Sequence, residues 1–481
     1  MKKFKLFPII LIFCLIFAGA SPMAFALDDP NVSGKAMLLV ELDSGVVLYE
    51  RSSDAERAPA SLTKIMTVLL ALEAIDRGEC TLDELVTAPA DCLQGLEEDS
   101  STSGITPGMQ LTMSELLYCA LLQSANEACN IIASRISGSV TDFVALMNQK
   151  AADLGCTHTH FMNTNGLPAE NHYSSAYDLY LITQSAMTYP LFMEICNSTS
   201  YQPENPGINN GNTIYNSNAL ICAGSIYGSG YLYEYASGVK TGYTRAAGYC
   251  LISTAEKEGV RLMAVVLGCD GLLNSESEDF WNFIDSRVLY DWGYDNFAYR
   301  TIVSATEPIT KEAVELAEGG AEAVLRPASD LTVFLPNDVT TESITRSISV
   351  FEEKLKAPIA AGTVLGEMTL SANGTVYGTV NLINSSDIEL SKGEYLRQRV
   401  QEILSKGWVI TLIIIVLGFL LIYTILVVRY RRLRQKHLQE RRRAEQRRRA
   451  EREQRYGGGY GEPGGGRYYD QPEEFFDDED D

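Results

Sequence analysis

Histidine is scarce in this chain, because only four of its 481 residues are histidine. Its ten cysteines form no C-x-x-C pair, so the paired ligand spacing of structural zinc sites is missing. His158 and His160 stand two residues apart, a pair more typical of side chains that pack or face solvent than of metal ligands. These absences argue against a zinc peptidase.

Positive charge is also in short supply, since the formal net charge is −23. The first 26 residues carry +3, residues 429–455 carry +9 and residues 456–481 carry −8, which leaves −27 for residues 27–407. Such an acidic segment argues against nucleic-acid binding and favours solubility outside the cell, although it identifies no substrate.

The first 26 residues are typical of a secretory signal peptide. Three lysines precede an apolar run at residues 6–18, and Ala24-Phe25-Ala26 offers a cleavage site of small residues. An uncleaved membrane anchor is the alternative, but the apolar run is short for a span. Cys14 leaves with this peptide, so nine cysteines remain and at least one lacks an intramolecular partner. Four of them are predicted core thiols, namely Cys119, Cys129, Cys156 and Cys250.

Residues 408–428 form a run of 21 residues without a charge, long enough to cross a bilayer as a helix. The five basic residues between 429 and 436 predict a cytoplasmic C-terminal side and an extracellular catalytic part. The repeated Arg-Arg-Arg-Ala-Glu unit then predicts an exposed helix that anchors to lipid headgroups rather than to nucleic acid. The final Gly-rich acidic stretch, residues 456–481, is predicted to be disordered and to dock a cytoplasmic partner.

The run from Pro59 to Lys64 places a serine three residues ahead of a lysine. The apolar spacing that follows predicts a buried helix, with Ser61 at its start and Lys64 one turn later on the same face. A serine hydroxyl needs a base within hydrogen-bond reach. Lys64 can be that base if burial and the second cation Lys240 lower its pKa. The apolar positions are Ile65, Met66, Val68, Leu69, Leu72 and Ile75.

A second motif, Ser124-Ala125-Asn126, lies between two apolar segments predicted to be helical. Residues two apart do not share a helix face, so we place both polar side chains at the corner between the helices. There the Ser124 hydroxyl can relay a proton from the lysine to the leaving amine, and the Asn126 amide can hold the substrate backbone. The two segments are residues 113–122 and 128–136.

The third motif is Lys240-Thr241-Gly242, and the alternating tyrosines before it predict a strand that runs into it. Gly242 lacks a side chain, so an extended peptide can lie along this strand and pair with its backbone. The backbone amide of Tyr243 is then a candidate oxyanion donor beside that of Ser61. Strict alternation places Lys240 and Thr241 on opposite faces of the strand. The tyrosines are Tyr231, Tyr233 and Tyr235.

Each motif alone has a plain structural alternative. These are a helix cap for Ser61, a capped helix junction for residues 124–126, and a hairpin strand with a glycine bulge for residues 240–242. Their order and combination favour acyl transfer through a serine ester, because each supplies a group that the others lack. No metal or organic cofactor is needed, since the chain itself supplies nucleophile, base and electrostatic stabilisation.

With these residues the chain resembles the serine D-alanyl-D-alanine carboxypeptidases among the low-molecular-weight penicillin-binding proteins, class C. The resemblance covers roughly residues 30–390 and includes four sequence blocks. It implies an α/β (α+β) domain of the serine β-lactamase and transpeptidase type, with an antiparallel sheet flanked by helices, and then a small β-rich domain. The blocks are residues 59–67, 163–167, 172–178 and 240–248.

The resemblance also implies roles for individual residues. Ser61 would be the acylated nucleophile, Lys64 the general base and Ser124 the proton relay. Asn126 would contact the substrate, and Lys240 and Thr241 would hold Ser124 and the substrate carboxylate. The implied substrate is the peptidoglycan stem pentapeptide, from which attack between the last two D-alanines releases D-alanine before water frees the serine. β-Lactams, which mimic the acyl-D-alanine ending, would acylate the same serine.

Two features depart from the resembled family. Many members carry an arginine that helps bind the terminal carboxylate, a few residues before a Leu-Leu-Asp-Trp-Gly-Phe-like segment. Here that segment is residues 289–294, and residues 262–286 contain neither arginine nor lysine. Thr241, Thr244 and Arg245 are the candidate substitutes, with a solvated turn residue as the alternative for Arg245. The family also usually ends in an amphipathic helix that lies on the membrane rather than in a full span.

Chain length predicts two domains outside the membrane. Near residues 297–300 the cysteines cease and short β-type runs begin, at residues 331–335, 344–351 and 375–383. The predicted order is a signal peptide (1–26), a catalytic domain (27–298), a β-rich spacer (299–395), a linker (396–407), a transmembrane helix (408–428) and a cytoplasmic tail (429–481).

Three other functions stay open. A β-lactamase shares the serine chemistry but needs an activated water, and no convincing acidic base motif for that step is present. A D,D-endopeptidase that cuts crosslinks could use the same site. A catalytically weak, wall-binding scaffold with a partner-recruiting tail would explain the missing arginine, but the complete catalytic trio opposes it.

Overall fold

The computed structural model of the protein describes residues 27–273, 278–372 and 375–456. The predicted signal peptide and residues 457–481 of the predicted tail lie outside the described residues. The chain divides into two compact units. The first contains the described residues up to Glu312, with Ala323–Glu353 and Ala360–Asp387, and the second contains Ala313–Glu322, Lys354–Ile359 and the chain from Ile388 onwards.

An antiparallel sheet of five strands, in the order β2-β1-β9-β8-β7, forms the centre of the first unit. Two short hairpins, β3 with β4 and β5 with β6, lie outside this sheet. The strands are β1 (Ala36–Glu41), β2 (Val47–Arg51), β3 (Leu85–Thr87), β4 (Gln110–Thr112), β5 (Ser200–Tyr201), β6 (Ile214–Tyr215), β7 (Ala236–Thr244), β8 (Gly248–Lys257) and β9 (Val260–Cys269).

Helices cover both faces of this sheet, so its central strands are buried at nearly every position. In β1, Ala36, Leu38 and Val40 join one hydrophobic core, while Met37 and Leu39 join the other. Alternate side chains of a strand point to opposite faces, which explains how one strand serves two cores. The helices are α1 (Lys64–Asp76), α2 (Met113–Leu121), α3 (Asn126–Ser137), α4 (Val140–Asp153), α5 (Ala176–Met187), α6 (Pro190–Asn197) and α7 (Trp281–Asn296).

Helix ends follow local sequence signals. Helix α2 begins with a capping box, in which Thr112 and Glu115 satisfy each other's backbone N–H groups. Helices α4 and α5 begin at the serine caps Ser139 and Ser175, and α3 ends at Gly138 in the left-handed conformation. The predicted helices at residues 113–122 and 128–136 are confirmed by α2 and α3.

Two local predictions are wrong. The strand predicted from Tyr231, Tyr233 and Tyr235 does not form, because β7 begins only at Ala236. These tyrosines pack against the aromatic side of α7 instead, where Tyr233 stacks on Tyr290 with ring centroids 5.9 Å apart. Ser61 does not open the α-helix either, because it lies in a 3-10 turn that precedes α1.

After α7 the chain is rich in strands, as predicted. Within the first unit β10 pairs with β13, and β14, β16, β17 and β12 are neighbours in that order. The runs predicted at residues 331–335, 344–351 and 375–383 are confirmed by β13, β14 and β17. The strands are β10 (Phe297–Val303), β11 (Thr310–Glu315), β12 (Glu322–Pro327), β13 (Leu331–Pro336), β14 (Thr345–Val350), β15 (Leu355–Lys356), β16 (Val364–Ala372) and β17 (Thr375–Asn384).

The second unit ends in two helices, α8 (Lys392–Ser405) and α9 (Gly407–Tyr456). Among the described residues α9 is the one helix long and apolar enough to cross a membrane, so it is the candidate membrane anchor. It contains both the predicted span and the arginine-rich segment, which continue as one helix. The predicted linker, residues 396–407, lies mostly within α8.

None of the nine cysteines of the described residues forms a disulfide, and eight of them are buried. Cys156 is partly exposed, whereas the other three predicted core thiols are fully buried. The fold of the described residues therefore depends on packing and hydrogen bonds rather than on covalent crosslinks.

Replacing Asp285 tests how the start of the chain is held on α7. Asp285 is buried, and its Oδ2 accepts hydrogen bonds from the Ser33 and Gly34 backbone N–H groups at 3.0 and 2.9 Å. We expect Asp285→Ala to lower the free energy of unfolding by about 3 kcal/mol, because buried donors lose their acceptor.

Urea unfolding of the full chain in detergent micelles, followed by tryptophan fluorescence, measures this effect. Asp291→Ala is the matched control on the same helix, since Asp291 is exposed and accepts one bond from the Tyr233 hydroxyl. It should cost about 1 kcal/mol or less. Equal losses in the two variants would contradict the role of Asp285.

Candidate active site

Ser61 lies in the 3-10 turn Ala60–Thr63, and Lys64 is the first residue of α1. The Lys64 Nζ is 2.9 Å from the Ser61 Oγ and donates to the Asn165 carbonyl at 2.7 Å. Lys64 has no exposed surface, and this burial lowers its pKa to about 8. A minor but usable fraction of Lys64, about a tenth at pH 7, is therefore neutral, and the neutral amine is placed to accept the serine proton.

Lys240 lies on β7 and is also buried, with 1% of its surface exposed. Its Nζ donates to the Thr241 carbonyl at 3.2 Å. Burial, and then repulsion from Lys64, lower the Lys240 pKa to about 7. The two lysines therefore form a coupled pair in which repulsion favours one neutral amine.

Ser124 lies at the corner between α2 and α3, as its sequence context predicts. Its φ of +65° places it in the left-handed region, and its buried Oγ has no hydrogen-bond partner among the described residues. Buried hydroxyls in folded proteins are nearly always paired, so this oxygen is available to a substrate group. Asn126 begins α3, is 2% exposed and donates its backbone N–H to the Ser101 carbonyl at 3.0 Å.

The β7 strand is the terminal strand of the five-stranded sheet in the described residues. Its outer backbone edge can pair with an extended peptide. Gly242 has a further reason to be glycine, since a Cβ there would lie 3.3 Å from the Pro59 oxygen and the Ser61 nitrogen. The missing side chain thus lets β7 approach the nucleophile turn closely.

The residues after Gly242 occupy the end of β7 and the turn to β8. The Tyr243 ring packs on Tyr249, with centroids 4.3 Å apart. The Thr244 Oγ1 accepts the Ala247 backbone N–H at 3.0 Å, so this hydroxyl is partly used within the turn. Arg245 is exposed in that turn. These three residues therefore follow the buried Lys240 along the chain, at the end of β7 and in the turn after it.

Sequence reasoning missed Ser217. Its hydroxyl lies 2.6 Å from the Thr241 Oγ1, and its backbone N–H donates to the Leu122 carbonyl at 3.2 Å. It thereby connects the third motif to the chain just before Ser124. Its signal was the asparagine on each side, because Asn216 and Asn218 use their amides to fix this loop to neighbouring backbone carbonyls.

The segment at residues 163–167 supports the nucleophile turn and supplies the carbonyl that Lys64 contacts. Thr67 donates to the Thr164 carbonyl at 2.6 Å, which fastens the segment to α1. Gly166 has a φ of +90°, and a Cβ there would lie 1.8 Å from the Ala60 oxygen. Only glycine allows this approach.

His172 holds the same turn from another side. Its Nδ1 accepts the Met162 N–H at 2.9 Å, so its Nε2 carries the hydrogen and donates to the Thr63 Oγ1 at 3.0 Å. Burial lowers the His172 pKa to about 4, which keeps the ring neutral. His172 therefore acts as a neutral hydrogen-bonding support for Thr63, the residue directly before Lys64.

Together, these contacts describe a serine with a buried amine base, a second buried amine, a free buried hydroxyl and a strand edge. Of the predicted residues, the structure places Ser61 against Lys64 and couples Lys64 to Lys240 electrostatically. Thr241 is linked to the Ser124 corner through Ser217. Arrangements of this kind suit nucleophilic acyl transfer.

Comparisons with known proteins agree with this chemistry. A family model described as D-alanyl-D-alanine carboxypeptidase matches residues 23–271, and one described as penicillin-binding protein 5, C-terminal domain, matches residues 297–390. The D-alanyl-D-alanine carboxypeptidase DacF of Bacillus subtilis is 30% identical over 388 residues, which cover 78% of this chain and 92% of that protein. The D-alanyl-D-alanine carboxypeptidase DacA of Escherichia coli is 30% identical over 348 residues, which cover 72% of this chain and 81% of that protein.

Among solved structures, penicillin binding protein 5 from Haemophilus influenzae has a TM-score of 0.58 and 25% identity, covering 76% of this chain and all of that one. Penicillin binding protein 6B from Escherichia coli has a TM-score of 0.57 and 25% identity, and the match covers 76% of this chain and 99% of that one. These similarities confirm the predicted fold class, a transpeptidase-like fold followed by a β-rich domain.

The close approach at Gly166 predicts a large effect of one methyl group. We expect Gly166→Ala to lower the free energy of unfolding by about 3 kcal/mol or more, because overpacking adds to the cost of a left-handed alanine. Gly155→Ala is the matched control, since Gly155 has a φ of +81° but open space around its Cβ position. It should cost about 1 kcal/mol. Urea unfolding compares the two, and equal costs would contradict the close approach.

Proposed function

Because the chain belongs to the D-alanyl-D-alanine carboxypeptidase family, we propose that it removes the terminal D-alanine of peptidoglycan stem pentapeptides through an ester on Ser61. Family membership supports a serine hydrolase with the activity of a D-Ala-D-Ala carboxypeptidase and penicillin-binding protein. The observation that carries the proposed mechanism is the 2.9 Å contact between the Ser61 hydroxyl and the fully buried amine of Lys64.

Acylation begins when neutral Lys64 takes the Ser61 proton and the Oγ attacks the carbonyl carbon of the penultimate D-alanine. The backbone amides of Ser61 and Tyr243 stabilise the negative charge on the carbonyl oxygen. Ser124 passes the proton from the lysine to the leaving amine, the C–N bond breaks and D-alanine departs. Water then attacks the ester carbonyl and gives one proton to Lys64, the bond between the acyl carbon and the Ser61 Oγ breaks, the shortened peptide leaves with a new terminal carboxyl group, and Lys64 passes the proton to the Ser61 Oγ. The unpaired Ser124 Oγ supports this relay.

We propose that the stem peptide lies along the outer edge of β7, with Asn126 on its backbone and Gly242 at the closest approach to the nucleophile turn. Lys240 and Thr241 bind the terminal carboxylate, and Ser217 orients the Thr241 hydroxyl. Thr244 and Arg245 are the remaining candidate contacts at the end of the strand. A terminal carboxylate needs such groups here, because residues 262–286 carry no cationic side chain.

The proposed arrangement in the cell has the catalytic domain (27–298) and the spacer (299–395) outside the membrane, following removal of the signal peptide. The apolar part of α9 spans the bilayer once, and the arginines after it lie on the cytoplasmic side. A cytoplasmic partner would dock on the acidic tail. The spacer would set the height of the active site above the membrane.

Release of D-alanine from a pentapeptide ending in D-Ala-D-Ala tests the activity and the nucleophile together. We expect Ser61→Ala to lower the release by at least about 1,000-fold, because the hydroxyl forms the covalent intermediate. Ser347→Ala, which changes an exposed serine of β14, should release D-alanine like the wild type.

Loss of release in both variants would point to damage other than loss of the nucleophile. No release from folded wild type would contradict the carboxypeptidase activity. Cleavage of crosslinked dimers would then support the endopeptidase, and turnover of penicillin would support the β-lactamase. If neither reaction occurred, the scaffold function would be supported.

The protonation of Lys64 predicts the pH dependence of acylation by a fluorescent penicillin. Only the neutral amine can accept the serine proton, so at saturating penicillin the acylation rate should rise with pH by up to about tenfold per unit and level off above the Lys64 pKa of about 8. Lys64→Arg should abolish acylation, because a guanidinium stays protonated. Single-turnover labelling between pH 5.5 and 9.5 measures the profile, and a flat profile would exclude Lys64 as the base.

A further inference from the structure

We propose that Glu127 is a positioning residue of this active site: its carboxylate holds the segment Ser101–Ile105 against the Ser124 corner and supplies a buried negative charge that acts on Lys64. Glu127 is the second residue of α3, directly after Asn126, and it has no exposed surface. The inference rests on the proposed function, in which neutral Lys64 activates Ser61.

The first oxygen of Glu127 ties down residues 101–105, here called the strap. Its Oε1 accepts hydrogen bonds from the Thr102 hydroxyl at 2.7 Å and from the Ser103 backbone N–H at 2.6 Å. The Ile105 N–H approaches the same oxygen at 3.4 Å. The Oε1 atom therefore acts purely as an acceptor for the strap.

The strap in turn contacts both sides of Ser124. The Ser101 carbonyl accepts the Asn126 backbone N–H at 3.0 Å, and the Ser103 hydroxyl donates to the Gln123 side chain at 2.9 Å. Gln123 and Asn126 flank the Ser124-Ala125 pair in sequence. Ser124 has a left-handed backbone that needs support from its surroundings. The strap supplies part of this support, and Glu127 holds the strap.

The second oxygen of Glu127 is the unusual one. Its Oε2 is buried and has no hydrogen-bond partner among the described residues. A buried carboxylate oxygen without a partner is costly unless a positive charge compensates for it. The positive charge that can compensate is that of Lys64, because Glu127 favours the charged form of Lys64 against the effect of burial.

Other ionisable groups around this charge do not compete with it. Burial raises the pKa of Cys119 on α2 to about 12 and that of Cys129 on α3 to about 11. The pKa of Cys92, on the loop before the strap, is also raised by burial. These thiols are neutral at the pH of the reaction, so Glu127 is the anion among the groups that act on the charge of Lys64.

The direction in which the Glu127 charge changes the Lys64 pKa can be predicted. A neighbouring anion stabilises the ammonium form of Lys64 and so raises its pKa. Removing the anion leaves more neutral Lys64 at low pH, and the midpoint of the acylation profile moves down. Loss of a purely structural contact would lower the rate at every pH and leave the midpoint where it was.

Glu127→Gln in the full chain, in detergent micelles, tests both parts of the proposal. We expect the midpoint for acylation by fluorescent penicillin to move down by about 0.5 to 1 pH unit, and the plateau rate at high pH to fall about tenfold. The matched control is Glu115→Gln. Glu115 is also buried, but it caps α2 and accepts the Asn205 N–H at 3.0 Å, so its loss should leave the midpoint unchanged.

An unchanged midpoint in Glu127→Gln would overturn the inference, as would an equal shift in Glu115→Gln. If Glu127→Gln does not fold, Glu127→Asp keeps the charge and withdraws it from the strap. That variant should keep the wild-type midpoint and lose plateau rate, and the opposite pattern would overturn the inference. Absence of acylation in folded wild type would instead overturn the proposed function, and this inference with it.

Discussion

Two buried lysines beside one serine are the constraint on which the rest of this structure depends. An ammonium group strongly prefers water, so burying Lys64 and Lys240 opposes folding unless neighbouring groups compensate. The compensation is partial: one carbonyl accepts from each amine, at Asn165 and at Thr241. The uncompensated cost of burial is useful, because it lowers the pKa values of the two lysines, and a serine nucleophile needs a base that can be neutral.

The elements around the lysines are held by contacts that allow little adjustment. The nucleophile turn is enclosed by glycines on two sides, Gly166 from one loop and Gly242 from β7. Neutral His172 fixes the turn through Thr63. Rigid seating of this kind suits a reaction in which the serine must keep its geometry through two successive attacks. The substrate can then be the moving part.

Much of this arrangement could be predicted from the sequence. The spacing between Ser61 and Lys64, the corner at Ser124 and the strand with Lys240 each follow from local periodicity. The alternating tyrosines before β7 led to a wrong strand prediction. Alternation with a period of two also arises in a segment without strand structure, when every second ring packs on a neighbouring element. Contacts between distant parts of the chain left no periodic signal. Ser217 meets Thr241 across 24 positions, and Glu127 meets the strap across 22 to 25, so only the fold brings them together.

The cysteine thiols have a consequence for how this protein is made. Small secreted domains often rely on disulfides for stability, and those proteins fold only where an oxidant and an isomerase are at hand. Here none of the nine cysteines of the described residues forms a disulfide, and eight are buried. Folding therefore does not wait for disulfide formation, and it proceeds best where the thiols of the unfolded chain stay reduced. Once folded, the packed interior shields most of these sulfur atoms from oxidants, so the completed protein tolerates an oxidising exterior that its unfolded chain would not.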